Sequence, residues 1–237
     1  NHINLVFKTL SRSAQDLLQK IALINNQSFS KTLLETIANN RETLMDDLYT
    51  LTRFGIINSI NNKGEIIFEM HDTIKDAILE ITKTNKANIN DVLDKINHLL
   101  PPGFVSRYVI ITSDSTLKSN LETLLNNAEK YDADIYKVME LRKNLLDYYL
   151  SIRDYQNCDK MLDWLEKTKL PWFMNSKQKS IYVWYLANIG IYKGFRTKCQ
   201  ESLMYLDKAK NIINSIDNYP ELKFTILLEY SLFAILN

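Results

Sequence analysis

Apolar residues recur at helical spacing through most of the first 55 positions, and they predict three short helices. The first covers residues 11–24, where Ser11 or Ser13 can act as N-cap. After a polar break at 25–30, a second helix is predicted at 31–38 with Ser30 as its possible cap. The third covers 41–54, and Gly55 stands where a left-handed residue commonly ends a helix.

A β-hairpin is predicted directly after the third helix. Residues 56–60 and 65–70 are rich in β-branched residues, and the turn-forming segment 61–64 joins them. Three helices followed by a hairpin, all within about 60 residues, are typical of a winged helix-turn-helix. The predicted fold class is therefore mainly α, with a winged helix-turn-helix and its small hairpin first.

Beyond the polar stretch 82–90 the pattern is helical almost throughout. The segment 89–100 and the segment 116–130 have apolar residues at helical spacing, whereas 104–115 fits a short strand or no assigned element equally well. Farther on, Gly190, Ser202, Leu206 and Ala209 match the spacing of a tetratricopeptide unit, in which two helices cross at small residues. The two best registers begin at Met139 and Val183, an offset of 44 residues that exceeds the usual period of about 34. An irregular array of TPR-like α-helical hairpins is therefore the prediction for the second half.

Composition and charge narrow the class of protein. Five Gly and four Pro argue against turn-rich sandwiches, barrels and α/β folds. A net charge of +1 makes nucleic acid an unlikely partner, and no apolar run approaches the length of a membrane span. The two cysteines, Cys158 and Cys199, exclude a disulfide framework, so a reducing cytoplasmic setting is expected. The chain opens with Asn-His and ends inside an apolar helix, which predicts a fragment of a longer protein, truncated at its C-terminus.

The strongest motif is Met70-His71-Asp72, which lies between the second hairpin strand and a predicted helix at 73–80. Over residues 10–82 the order of helical triplet, turn, strand, MHD tripeptide and helix resembles the winged-helix domain of the STAND class of signalling NTPases. In that family the MHD histidine reaches the β-phosphate of ADP bound to an upstream P-loop domain. The resemblance therefore implies that His71 senses nucleotide, with Met70 and Asp72 supporting the motif. Met70 is expected to be a buried strand residue and Asp72 to N-cap the following helix.

The sequence itself lacks the nucleotide-binding motif of that family. None of its glycines belongs to a GxxxxGK[ST] loop, so we expect no cofactor on this chain and place ADP or ATP on an upstream domain. We therefore expect this chain not to be an enzyme, although a full-length parent could be an ATPase.

Other chemistries have weaker signals. His71-Asp72 also suggests a metal site of the HD phosphohydrolase kind, which would need another histidine upstream of His71. Only His2 is present there. The third histidine, His98, lies among apolar residues of a predicted helix. Neither Cys158 nor Cys199 has a visible histidine partner for nucleophilic catalysis. DNA reading by the third helix is disfavoured because Arg41 and Arg53 are accompanied by acidic residues. Those acidic residues are Glu42, Asp46 and Asp47, and the wing itself adds only Lys63.

These observations predict four regions: an N-terminal segment at 1–9, a winged helix at 10–82, a helical linker at 83–116 and a TPR-like domain at 117–237. The winged helix would hold the upstream NTPase domain in its ADP state through His71, and the helical repeats would bind a protein or small-molecule inducer. Aromatic residues could line that surface, although most are expected in the core: Tyr148, Tyr149, Trp164, Trp172, Tyr182, Trp184 and Tyr185. The alternatives are a winged-helix transcription regulator with a helical effector-binding or dimerisation arm, and a nucleotide-independent adaptor.

Overall fold

The structure is a computed structural model that describes residues 2–24, 27–62, 64–100, 104–171, 173–196, 199–216, 219, 222–224 and 226–227. The described chain is mainly helical, with one small antiparallel sheet. It divides into two compact units, Asn1–Val138 and Met139–Asn237. The predicted region boundaries after residues 82 and 116 both fall inside the first unit.

The first unit contains eight helices and three strands among its described residues. The helices are α1 (His2–Thr9), α2 (Arg12–Ile24), α3 (Lys31–Ile37), α4 (Leu44–Arg53), α5 (Asp72–Ile81), α6 (Lys86–Leu99), α7 (Phe104–Ser113) and α8 (Leu117–Lys130). The strands are β1 (Ser28–Ser30), β2 (Asn58–Asn62) and β3 (Glu65–Glu69). The sequence pattern did not decide between a strand and no assigned element for residues 104–115. In the structure, helix α7 forms most of this segment.

Local signals in the sequence explain several helix ends. Ser30 Oγ accepts a hydrogen bond from Leu33 N at 3.1 Å, so the predicted cap of α3 is confirmed. Ser11 Oγ accepts from Ala14 N at the start of α2. Gly55 follows α4 with φ +65°, the left-handed conformation expected of a residue that ends a helix.

The sheet has the order β1-β3-β2, with both pairs antiparallel. The predicted hairpin is confirmed as β2 and β3, although β2 begins two residues later than predicted and includes Asn61 and Asn62 of the predicted turn. Strand β1 was not predicted because its three residues, Ser-Phe-Ser, carry no periodic signal and lie in a polar break. Its contribution is the pairing of Phe29 with Phe68, whose ring centroids lie 6.2 Å apart, so β3 becomes the central strand.

Helix α2 lies at the centre of the first unit. It packs against α3, α4, α5, α6 and α8, and its inward residues are almost fully buried. An ion-pair cluster fixes α6 to this core, because Lys20 Nζ lies 2.9 Å from Asp91 Oδ2 and 3.0 Å from Asp16 Oδ2. Lys95 of α6 donates to the carbonyl of Ile37 at 2.9 Å. Helix α6 therefore belongs to the same compact body as the three-stranded sheet.

The second unit is a series of helices. Helix α9 (Ile135–Ser151) begins in the first unit and continues into the second, followed by α10 (Tyr155–Lys167), α11 (Ser176–Phe195) and α12 (Cys199–Ile213). Arg142 of α9 donates to Met161 Sδ of α10, and Tyr185 of α11 donates to the Met161 carbonyl. Helices α11 and α12 cross where Gly190 faces Ser202 and Leu206. Consecutive helices thus pack on one another, as expected of an array of helical hairpins.

No helix in the described part of the chain combines the length and the apolar character that crossing a membrane would require.

Candidate functional site at the His71 loop

The MHD tripeptide joins the central strand to a helix. Strand β3 ends at Glu69, and helix α5 begins at Asp72. Met70 is 2% exposed, and its backbone N–H donates to the carbonyl of Gln27 at 3.3 Å. The expected burial of Met70 is confirmed, although it lies just beyond the strand. This anchored residue fixes the backbone from which His71 projects.

His71, rather than Asp72, is the N-cap of helix α5. Its backbone is extended, with φ −67° and ψ 141°, and its Nδ1 accepts a hydrogen bond from Thr73 N at 3.2 Å. The carbonyl of His71 also accepts from the amides of Ile74 and Lys75. The prediction that Asp72 caps the helix was wrong, because the imidazole nitrogen takes the position that a cap oxygen usually fills.

Asp72 instead forms an ion pair in the first turn of α5. Lys75 Nζ lies 2.7 Å from Asp72 Oδ1. The hydrogen bond and charge of Lys75 hold the pKa of the Asp72 carboxyl below its usual value, and the neighbouring His71 contributes in the same direction. A carboxylate at the N-terminus of a helix also interacts favourably with the helix dipole.

The N-cap geometry determines the tautomer of neutral His71. Because Nδ1 accepts from Thr73, the ring proton of the neutral imidazole resides on Nε2. The side chain is exposed, and Nε2 has no partner among the residues that the structure describes. His71 therefore presents an N–H donor to whatever lies next to it.

A cleft of about 310 Å³ lies beside His71. It is lined by Gln27, Asn58, Glu69, Met70, His71 and Asp72. Of the two carboxylates, Asp72 is paired with Lys75. A hydrogen-bond donor on an exposed rim suits recognition of an acceptor group, and the lining contains no nucleophile paired with a base. His71 is therefore a candidate hydrogen-bond donor to a ligand or partner.

Three residues that line this cleft were not predicted from the sequence: Gln27, Asn58 and Glu69. Among them, Gln27 contacts the motif directly. It has a positive φ of 71°, and its carbonyl receives the Met70 amide. Gln27 immediately precedes the unpredicted strand β1, so only the tertiary pairing of β1 with β3 brings it beside the motif.

Helix α4, the third predicted helix, has one buried acidic residue and an exposed face that is partly apolar. Asp47 is buried and accepts hydrogen bonds from the hydroxyls of Ser11, Ser13 and Thr43. The exposed face of helix α4 carries Met45, Tyr49 and Arg53, each four residues after the last. The side chain of Tyr49 is 70% exposed. Apolar side chains on this surface suit contact with protein better than contact with phosphates. Lys63 of the predicted wing lies outside the described residues.

The predicted core aromatic residues that the structure describes are partly or wholly buried in the helical array. Tyr149 and Tyr185 are buried, and the Trp164 ring meets Tyr185 edge-on at 6.2 Å. The Arg142 guanidinium lies 4.5 Å from the centre of the Trp164 ring. Trp172 lies outside the described residues, while Tyr148, Tyr182 and Trp184 are half-buried.

Metal and thiol chemistry find no support in the described geometry. Among the described residues, no three His, Cys, Asp or Glu side chains come together to hold an ion. Burial, with further contributions from Asp154 and Asp159, raises the pKa of the Cys158 thiol to about 12. The reactive thiolate is therefore scarce at neutral pH.

Comparison with known proteins gives one distant likeness. No family model and no curated protein matches the chain. Among solved structures, it is similar to a Signal Transduction ATPase with Numerous Domains (STAND) protein with a tetratricopeptide repeat sensor from Pyrococcus horikoshii. The two chains are 13% identical with a TM-score of 0.38, and the match covers 97% of this chain and 42% of that one. The similarity is distant, so it carries no functional conclusion for this chain.

Proposed function

We propose that this chain is the non-catalytic regulatory part of a STAND-type signalling NTPase. Residues 10–82 would act as a winged helix that holds an upstream P-loop domain in its ADP state. His71 Nε2 would donate a hydrogen bond to the β-phosphate of that ADP. The helical hairpins of the second unit would bind a protein or small-molecule inducer.

The observation that carries the proposal is the orientation of the His71 ring. Its Nδ1 is used inside the chain by the Thr73 amide, so an exposed Nε2–H remains for an outside acceptor. A hydrogen bond to a phosphate oxygen is charge-assisted and stronger than one to a neutral acceptor. Because it exists only while ADP and both domains are together, it favours the closed state and is lost on exchange or separation.

The order of the elements supports the winged-helix part of the proposal. Helix α2, strand β1, helices α3 and α4, and the hairpin β2–β3 follow one another, with β1 completing a three-stranded sheet. The exposed apolar stripe of α4 is consistent with a module that packs against protein.

The test compares the full-length polypeptide with wild-type His71 and with His71→Ser. Serine is a good N-cap, so this change keeps the start of α5 but removes the ring that would reach a phosphate. We expect wild type to retain ADP through purification and His71→Ser to lose it or exchange it at least about tenfold faster, the loss of roughly one charge-assisted bond. The measurement is chromatographic quantification of released nucleotide, followed by exchange with a fluorescent ADP analogue.

The matched control is His98→Ser, which changes another exposed histidine on α6. This variant should retain nucleotide as wild type does. Equal retention in wild type and His71→Ser would contradict the role of His71. Absence of nucleotide from every form would favour the adaptor or the transcription regulator, and a specific DNA mobility shift would separate those two.

A further inference from the structure

Helix α8, together with Asp114 just before it, holds the end of α2 and strand β1 at three described points. Asn127 Nδ2 donates to the Leu23 carbonyl at 2.7 Å, and Asn120 Nδ2 donates to the Ser28 carbonyl at 2.8 Å. Just before α8, Asp114 Oδ2 accepts from Ser30 Oγ at 2.5 Å. These bonds join residues more than 80 positions apart in sequence, so they are specific tertiary contacts.

The same segment holds the His71 loop from the other side. Ser28, Phe29 and Ser30 pair with Glu69, Phe68 and Ile67 of β3. The Gln27 carbonyl receives the Met70 amide, one residue before His71. These residues therefore contact α8 through the Leu23 and Ser28 carbonyls and Asp114 through the Ser30 hydroxyl. On the other side they contact β3 through the ladder and Met70 through the Gln27 carbonyl.

We infer that helix α8 positions His71 through strand β1, so that displacement of α8 alters the hold of His71 on its ligand. The identity of that ligand rests on the proposed function. The contacts from α8 to β1 and from β1 to the His71 loop do not depend on it. Helix α8 and the His71 loop both lie in the first unit, so the link is a set of contacts within one compact body.

Asn120 is the decisive residue of the link. It is 1% exposed, and it also donates to the Thr116 carbonyl within its own helix. Replacing it with alanine leaves the carbonyl of the half-buried Ser28 without the Asn120 donor, which weakens the attachment of β1 to α8. The expected consequence is local opening of β1 and of the Gln27–Met70 hydrogen bond, rather than global unfolding.

The experiment is amide hydrogen exchange on this chain by NMR, comparing wild type with Asn120→Ala. We expect the amides of Met70 and Thr73 to exchange about tenfold faster in the variant, the effect of losing roughly one hydrogen bond. The amide of Ile96, buried on α6, reports global stability and should exchange at the wild-type rate. A purely structural defect would accelerate Ile96 as well.

Asn126→Ala is the matched control, because Asn126 lies exposed on the same helix. It should leave all three amides unchanged. If Asn120→Ala fails to fold, Asn127→Ala decides the question, since its amide donates to Leu23 from a half-buried position.

Unchanged exchange at Met70 and Thr73 in a folded variant would overturn the link. In the full-length polypeptide, Asn120→Ala should release nucleotide as His71→Ser does. Faster exchange at Met70 with full nucleotide retention in Asn120→Ala, but release in His71→Ser, would overturn the regulatory part of the inference. Retention in His71→Ser would contradict the proposed function alone, while the exchange data would still decide the link.

Discussion

At the scale of single residues, the second unit contains buried tyrosine and cysteine side chains whose pKa values are raised by their surroundings. Tyr205 donates to Glu166 Oε1 at 3.0 Å, and burial together with this bond raises its pKa from 10.0 to about 12. Burial likewise raises the pKa of Cys158 to about 12, and burial and the bond to Asp159 raise that of Tyr192. Each group is neutral in the fold and would ionise more readily in the unfolded chain.

The first prediction concerns alkaline pH. A pKa raised in the folded state gives stability that is complete below the unfolded value and is lost as pH rises toward the folded value. For Tyr205 this window runs from about 10 to about 12. We expect the urea midpoint of unfolding to fall between pH 9 and about 11, and Tyr205→Phe to reduce that fall, as measured by circular dichroism.

Tyr49→Phe provides the control, since Tyr49 is exposed on α4 and has no hydrogen-bonded carboxylate in the described structure. It should leave the pH dependence of the midpoint unchanged. A slope in Tyr205→Phe identical to that of wild type would show that Tyr205 ionises equally in both states.

At the scale of elements, the crossing of α11 and α12 depends on small residues. Ser202, Leu206 and Ala209 are fully buried on α12. A Cβ at Gly190 would lie 2.8 Å from Leu206 Cγ and 3.3 Å from the Ser202 carbonyl oxygen. Gly190 therefore allows a close approach of the two helices, as the spacing of these four residues in the sequence indicated.

The second prediction is that Gly190→Ala destabilises the chain. In an open helix interior, alanine is about 1 kcal/mol more favourable than glycine. Here the added methyl group must displace Leu206 or separate the helices, so we expect a net loss of about 1–3 kcal/mol. The measurement is urea unfolding followed by circular dichroism.

The double variant Gly190→Ala/Leu206→Ala tests the cause. Shortening Leu206 removes the atoms nearest to the new methyl group, so the two changes should cost less together than the sum of their separate costs. A neutral or stabilising Gly190→Ala would mean that the helices do not approach this closely.

At the scale of the whole molecule, the chain has two compact units, and its sequence has no GxxxxGK[ST] motif. The candidate contact at His71 is one exposed donor beside a cleft that two carboxylates line. A single hydrogen bond to a charged phosphate contributes only about 1.5–3 kcal/mol net. Tight binding of nucleotide would therefore need the many backbone donors of a P-loop from another domain.

The third prediction is that this chain alone does not bind ADP at micromolar concentrations, with or without Mg²⁺. Isothermal titration calorimetry of the isolated chain should show no saturable heat. Saturable micromolar binding that His71→Ser abolishes would contradict the dependence on an upstream domain, and binding unaffected by that change would indicate a site elsewhere in the chain.

Local signals in the sequence were sufficient for much of the secondary structure. Ser30 as a cap, Gly55 at the end of α4 and the hairpin of β2 and β3 each depend on neighbouring residues, so the pattern predicts them directly. The small residues of the α11–α12 crossing also follow from spacing along two adjacent helices. His71 became the candidate contact because Met70-His71-Asp72, in its context, resembles the MHD signature of the STAND class.

Features that depend on distant partners were decided only by the tertiary structure. Strand β1 exists because β3 offers an unpaired edge, and three residues carry too little pattern to predict it. The acidic pair on α4 looked alike in sequence, yet Asp47 is buried because α2 brings Ser11 and Ser13 to it. The role of His71 as N-cap, which fixes its free donor on Nε2, required the backbone geometry that Met70 and Gln27 impose. Sequence periodicity predicts which face of a helix or strand is buried. Which other element packs against that face depends on long-range contacts, which no local pattern predicts.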